Sequence, residues 1–219
     1  NSIFKSNWIR EMGDFYGKNI FLAETSATTG GLDSLLQPTG PLKKAQEYAS
    51  RAFGSQKSFF VTNGTSTANK IVVQALVRPG DVVLIDRDCH KSHHYGLVLS
   101  GAKPVYLDSY HLEEYSMYGG VPLKLIKNKL NEFKKVGRLD EVKMVLLTNC
   151  TFDGVVYNVE RYMEEILAIK PDMVFLWDEA WFGYARFSSL FRRRTAMCAV
   201  RRLHKKYHSE KYRDQYQRQ

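Results

Sequence analysis

The chain reads as an α/β protein: a mainly parallel sheet sandwiched by helices. Three observations carry that expectation. Short, almost continuously apolar runs recur along the sequence, as expected of strands covered on both faces. Each run is separated from the next by a stretch with helical spacing, the pattern of strands joined by crossover helices. With 44% hydrophobic and 13% aromatic residues, the 219 residues can also bury a sizeable core.

Each element can be justified in order. Pro41 to Phe53 follows Thr39-Gly40 and puts Leu42, Ala45, Tyr48, Ala49 and Phe53 on one face, predicting a helix over 41–53. KSFFVT predicts a strand over 57–62, and TANKIVVQAL a helix over 67–76 closed by the Arg78-Pro79-Gly80-Asp81 turn. DVVLID is a strand over 81–86, HKSHHYGLVLSG a helix ending at Gly101, and KPVYLD a strand over 103–108. A polar, tyrosine-rich loop through Gly119-Gly120 leads to a helix over 123–135. KMVLLTN (143–149) is a strand, VERYMEEILAI (159–169) a helix and MVFLWD (173–178) a strand. The expected organisation is a lead-in segment over 1–40, a large α/β domain over 41–191 and a basic amphipathic helical tail over 192–219.

Charge and composition narrow the function. The net charge is +9, but Arg192 to Gln219 holds ten Lys/Arg against Glu210 and Asp214, so the preceding 191 residues are nearly balanced. Met197, Val200, Leu203 and Tyr207 recur there at roughly helical spacing, which reads as a solvated basic face on an amphipathic helix. No segment resembles a nucleic-acid-binding motif, so no nucleic-acid partner is expected. No apolar run is long enough to span a bilayer and the start is not a signal peptide, so no membrane partner is expected. Cys89, Cys150 and Cys198 are odd in number and lack CxxC spacing, which points to a reducing cytoplasm rather than a disulfide framework or a zinc ribbon.

In parallel sheets ligands sit beyond the carboxyl ends of the strands, which selects four stretches. In TNGTSTANK, Gly64, Thr65, Ser66 and Thr67 present amides and hydroxyls at the positive end of a helix, either as a phosphate cradle or as simple N-capping. In DRDCHKSHHYG, His90, His93 and His94 fall at i, i+3, i+4; two could share a metal, but the other strand ends offer no third histidine, so no metal is assigned. One of them could instead present its flat ring to a flat cofactor, with the others solvated. Cys89 has no identifiable acid–base partner. In TNCTFDG, Thr148, Asn149, Thr151 and Asp153 either bond a ligand or form an Asx-type turn. In VFLWDEAWFGYARF, Asp178 and Glu179 end an apolar strand, where an unpaired charge is costly. Either acid could pair with an arginine such as Arg186. Alternatively, Asp178 could hold a pyridinium ring nitrogen protonated, so that the ring draws electrons from a substrate carbanion. Phosphate loop, stacking ring and carboxylate, in that order on one parallel sheet, together point to pyridoxal 5′-phosphate.

The chain resembles the Orn/Lys/Arg decarboxylase family, the bacterial-type basic amino acid decarboxylases of the aspartate aminotransferase (type I) fold. The residues that carry the resemblance are GDFYGKNIFLAE, GLDSLLQPTGPLKKAQEYASRAFG, FFVTNGTSTANKIVVQAL, VLIDRDCHKSHHYG, LTNCTFDG and WDEAWFGYARFSSLFRRRTAM. The resemblance implies that residues 41–191 are part of the large pyridoxal phosphate-binding domain. It implies that Gly64, Thr65 and Ser66 form the phosphate loop and that His90 stacks on the ring. Asp178 would partner the pyridine nitrogen, with Ala180, Trp181 and Thr151 lining the pocket. Such enzymes remove CO₂ from arginine, lysine or ornithine to give a diamine or polyamine precursor, and type I enzymes generally build the site at a dimer interface, implying a homo-oligomer. The run Phe191–Met197 leans towards arginine, by resemblance alone. One feature departs from the family: its cofactor lysine lies in a Ser-x-His-Lys motif downstream of the aspartate, and Lys205, Lys206 and Lys211 lack that context, as do Lys70 and Lys91 upstream. The expectation is therefore a piece of a decarboxylase that is inactive alone. The alternatives are a non-catalytic cofactor-binding or subunit-interaction module, or another type I enzyme such as an aminotransferase.

Overall fold

Apolar strands that alternate with amphipathic helices can bury both faces of a sheet at once, and the computed structural model of the chain is built that way. It describes residues 5–23 and 32–209. The remaining positions of the lead-in segment, and residues 210–219 of the basic tail with Lys211, lie outside the described residues. The chain divides between Phe60 and Val61 into two compact units.

The first unit holds α1 (Asn7–Tyr16), α2 (Asn19–Leu22) and α3 (Pro41–Phe53). α3 has the expected bounds: Pro41 sits in its first turn, where its missing N–H costs nothing, and Gly54 closes it at φ 80°. Gly40 offers no capping side chain. Asp33 supplies the acceptor instead, taking the amides of Thr39, Gly40 and Leu42.

The second unit begins with α4 (Gly64–Leu76) and continues through β1 (Val82–Asp86), α5 (Lys91–Ser100) and β2 (Lys103–Leu107). A small hairpin of β3 (His111–Leu112) and β4 (Met117–Tyr118) precedes α6 (Leu123–Lys135), β5 (Val142–Thr148), α7 (Val159–Leu167), β6 (Val174–Asp178) and α8 (Ala196–Tyr207). The four main strands form one parallel sheet in the order β2-β1-β5-β6. Side chains alternate along each strand, so β1, β5 and β6 each feed two cores, while the edge strand β2 feeds one through Val105 and Leu107. Val83, Ile85, Met144, Leu146 and Leu176 pack against Val73 of α4 and Leu97 of α5. Val82, Leu84, Val145 and Leu147 pack on the opposite face against Ile126 and Leu130 of α6 and Ile166 of α7. Each fully buried aliphatic side chain contributes about 1.5–3 kcal/mol over its exposed state, and all five residues of β1 are buried.

The chain leaves β1 towards β2 on one side and later returns to β5 on the other. That reversal makes the carboxyl ends of β1 and β5 a topological switch point, where neighbouring connections diverge and open a crevice.

Three expectations are corrected. Residues 57–62 form no strand: no ladder partner meets them among the described residues, and Phe59 is 75% exposed. Without a ladder, an apolar run has nothing to satisfy its backbone amides. α4 accordingly starts at Gly64 rather than residue 67. The tyrosine-rich loop contains the β3–β4 hairpin, held by backbone bonds that periodicity in so short a run cannot signal. In the basic segment the buried face of α8 is Ala196, Ala199 and Leu203, which pack on Val159 and Met163 of α7, while Val200 is exposed. Part of its basic face is paired: Arg202 meets Glu160 at 2.9 Å, and Lys206 meets Glu160 and Glu164 at 3.1 and 3.3 Å. No helix among the described residues is long and apolar enough to cross a membrane.

Candidate functional site

Four elements end around one cavity of about 360 Å³ in the second unit. The first turn of α4 brings Thr65 and Ser66, and the turn after β1 brings Asp88, Cys89 and His90. The end of β5 and the loop beyond it bring Thr148, Thr151 and Phe152, and the end of β6 brings Asp178, Ala180 and Trp181. Of the residues singled out in the sequence, nine line it: Thr65, Ser66, Cys89, His90, Thr148, Thr151, Asp178, Ala180 and Trp181. Gly64 stands one residue before Thr65, as the first residue of α4.

The α4 end is shaped by backbone conformation. Asn63 and Gly64 take left-handed φ values of 65° and 73° in succession, swinging the chain into the helix; the second is one that glycine adopts freely. No side chain caps α4 among the described residues, and the Thr67 hydroxyl donates to the Asn63 carbonyl at 3.4 Å. The first-turn amides and the Thr65 and Ser66 hydroxyls therefore form a donor-rich, electropositive helix start of the kind that suits a phosphate.

At the β6 end stands Asp178, 5% exposed. Its Oδ2 accepts from His93 Nε2 at 2.9 Å and from Asn69 Nδ2 at 3.0 Å, and its Oδ1 accepts from the Ala180 amide at 3.0 Å. Burial pushes the Asp178 carboxyl up. The hydrogen bonds from His93, Ala180 and Asn69 more than offset that, leaving it below the ordinary carboxylate range. Each carboxylate oxygen can take about two donors, so Oδ1, with one donor among the described residues, keeps capacity for another.

His90 is the N-cap of α5, where its Nδ1 accepts from the Ser92 amide at 3.2 Å. The Ser92 hydroxyl lies 2.9 Å from the same Nδ1 and 3.1 Å from Asn69 Nδ2. These contacts resolve into one directed chain: Asn69 donates one N–H to Asp178 and the other to Ser92, and Ser92 donates to His90. The remaining contact, Asn69 Nδ2 to His93 Nε2 at 3.4 Å, sets donor against donor and is not a hydrogen bond. His90 is thus held as an exposed ring with its Nε2 carrying the proton.

Asp178 and Glu179 have separate tasks. Glu179 Oε1 accepts from Asn149 Nδ2 at 2.7 Å and from the Ala196 amide at 2.7 Å, joining the end of β5 to the start of α8. Burial raises its carboxyl, and those two bonds oppose the rise. Thr151 holds the turn after β5, its hydroxyl accepting from the Val155 amide at 3.0 Å. Phe152 and Trp181 meet edge to face at 6.1 Å at the cavity mouth, and both are exposed.

One expectation about the histidines is corrected. His93 is not solvated but fully buried, because α5 turns that side of the helix onto β6. His94 approaches Cys89 Sγ at 3.5 Å instead, and no cluster of three metal-ligating side chains occurs among the described residues. Burial, with Asp86 nearby, pushes the Cys89 thiol up to about 12, far from a reactive thiolate. Sequence reasoning missed Asn69, Ser92 and Phe152, and named His93 without its place behind Asp178. A usable signal existed for Asn69 alone, as an amide in mid-helix on the face that also carries Val73.

The donor set fits pyridoxal phosphate. An uncapped helix start, an exposed flat ring and a buried anionic carboxylate with spare acceptor capacity border one cavity large enough for a small cofactor.

Comparison with known proteins identifies the family. Residues 2–207 match the family described as Orn/Lys/Arg decarboxylase, major domain. The chain is 38% identical over 189 residues to lysine decarboxylase LdcA of Pseudomonas aeruginosa, covering 84% of this chain and 25% of that protein. It is 37% identical over 193 residues to the biodegradative arginine decarboxylase of Escherichia coli, again covering 84% of this chain and 25% of that protein. The solved structure of lysine decarboxylase A from Pseudomonas aeruginosa superimposes with a TM-score of 0.76 at 36% identity, over 90% of this chain and 27% of that one. The chain spans about a quarter of the length of the curated relatives it matches.

Proposed function

The chain belongs to the Orn/Lys/Arg decarboxylase family, and on that premise we propose that it is the cofactor-holding part of a pyridoxal phosphate-dependent decarboxylase of arginine, lysine or ornithine. The observation that carries the reading is Asp178: a buried, hydrogen-bonded carboxylate facing the open start of α4 across one cavity. The first-turn amides of α4, with Gly64, Thr65 and Ser66, hold the phosphate. Asp178 Oδ1 holds the proton on the ring nitrogen, and His90 covers one face of the ring. Ala180 and Trp181 bound the cavity on the β6 side, and Thr151 bounds it from the loop after β5. When bound, the cofactor supplies an electron sink for the carbanion left as CO₂ departs. The buried Asp178 anion keeps that sink electron-poor, and Phe152 and Trp181 shield the mouth from water. The relatives named above act on lysine and arginine at nearly equal identity, so the reading extends to basic amino acids as a class. The complete protein is proposed to be a cytoplasmic homo-oligomer.

A second reading is supported by the cavity lining. Among the described residues no lysine lines the cavity, and Lys206 is engaged by Glu160 and Glu164 on α7. The chain by itself would then hold pyridoxal phosphate without turnover, as a binding or subunit-interaction module. Adding pyridoxal phosphate, reducing with borohydride and weighing the product separates the two. Reversible binding with no covalent label supports the module reading for this chain. Label at one specific lysine shows that the chain supplies its own attachment point. Asp178→Asn should weaken pyridoxal phosphate binding about tenfold or more and shift its absorbance; unchanged affinity and spectrum would remove Asp178 from the site.

A further inference from the structure

We infer that Thr148 is a ligand-binding residue, its hydroxyl bonding a polar substituent of the aromatic ring whose nitrogen meets Asp178. This rests on the cofactor reading above. Thr148 is the last residue of β5 and the register partner of Asp178 in the parallel β5–β6 ladder. Register partners send their side chains to the same face of a sheet, and both residues line the same cavity.

The distinguishing observation is hydrogen bonding. Thr148 Oγ1 is buried and has no hydrogen-bond partner among the described residues. Its polar neighbours are committed to the fold: Asn149 bonds Glu179, the Arg194 carbonyl and the Tyr157 amide, and the Thr151 hydroxyl takes the Val155 amide. A buried hydroxyl that serves no protein group is destabilising, and a valine of the same shape would fill the space without that penalty. The hydroxyl is therefore explained by something that enters the cavity. A hydroxyl can both donate and accept. It suits the ring oxygen of a hydroxypyridine such as pyridoxal phosphate, beside the position where Asp178 takes the ring nitrogen.

The test uses the 219-residue chain and three variants, with two readouts: affinity for pyridoxal phosphate by absorbance titration, and melting temperature without it. Thr148→Val should weaken pyridoxal phosphate binding about five- to tenfold, while its melting temperature without ligand is equal to or above that of the unsubstituted chain. Thr148→Ser, which keeps the hydroxyl, should bind within about threefold, and Thr148→Ala should lose affinity as the valine variant does. Wild-type affinity in Thr148→Val overturns the inference and leaves the cofactor reading standing. A lowered melting temperature in Thr148→Val, restored in Thr148→Ser, also overturns it, because the hydroxyl would then serve the fold. No pyridoxal phosphate binding by the unsubstituted chain overturns the cofactor reading and this inference with it.

Discussion

His93 Nε2 donates to Asp178 Oδ2 across 2.9 Å, both side chains buried, although 85 residues separate them in the chain. The contact joins α5 to the end of β6. It leaves the second oxygen of Asp178, which also takes the Ala180 amide, with room for one more donor. A carboxylate held this way is anchored from behind and available from in front.

Removing the anchor should be costly. His93→Ala deletes a hydrogen bond to a buried charge and leaves a cavity, so a loss of about 2–4 kcal/mol is expected in urea unfolding. The pH dependence has a defined sign. The folded Asp178 carboxyl lies below its ordinary value, so its stabilisation is present above the ordinary carboxylate range and is lost as pH falls through the depressed value. In His93→Ala that acid limb should move to higher pH; an unmoved limb would show that His93 does not hold the carboxyl down.

Glu179 is a structural latch. Glu179→Ala strips the acceptor from Asn149 and from the first amide of α8, with an expected cost of about 1–3 kcal/mol. Hydrogen exchange should speed up at the start of α8, with affinity for pyridoxal phosphate within about twofold of wild type. A large loss of affinity with no change in α8 protection would move Glu179 into the binding site.

Asp86, 1% exposed at the end of β1, is raised by burial and by the carboxylates of Asp88 and Asp108, against the Asp88 amide and the Ser109 hydroxyl. A raised acid contributes stability below its unfolded value and loses it as pH rises through the folded value. Asp86→Asn should flatten that decline and equal or exceed wild-type stability by about 1 kcal/mol at neutral pH. If instead the variant is less stable across the whole range, the charge is being used by the fold.

α4 and α5 approach closely at Gly96, where an added Cβ would meet Val73 Cβ at 3.2 Å. Gly96→Leu should overpack this contact and cost about 1–3 kcal/mol in thermal or urea unfolding. Because Asn69 and His93 ride on these two helices, pyridoxal phosphate affinity should fall with it. A destabilised variant with intact affinity would uncouple the helix packing from the site.

Much of this was legible along the chain, and particular residues show why. The helix over 123–135 matches α6 to the residue, because its apolar positions repeat with the helical period and Pro122 marks its start. The strands β1, β5 and β6 were legible as apolar runs, and their ends located the cavity. The failures share a cause. Residues 57–62 carry the apolar run Phe59-Phe60-Val61, but a strand needs a neighbour, and composition does not say whether one is there. His93 and His94 are adjacent and chemically identical. Helix rotation buries one against Asp178 and brings the other to Cys89 and Tyr106.

Local pattern by itself determined the α/β class, the order of most elements and the set of strand ends where chemistry could occur, because periodicity and turn chemistry act over a few residues. The tertiary structure alone decided which of two adjacent acids faces the cavity and which of three histidines backs it. It also decided that a threonine hydroxyl is left without a protein partner. Those outcomes depend on hydrogen bonds between residues distant in the chain, made or withheld once the sheet and its helices have packed.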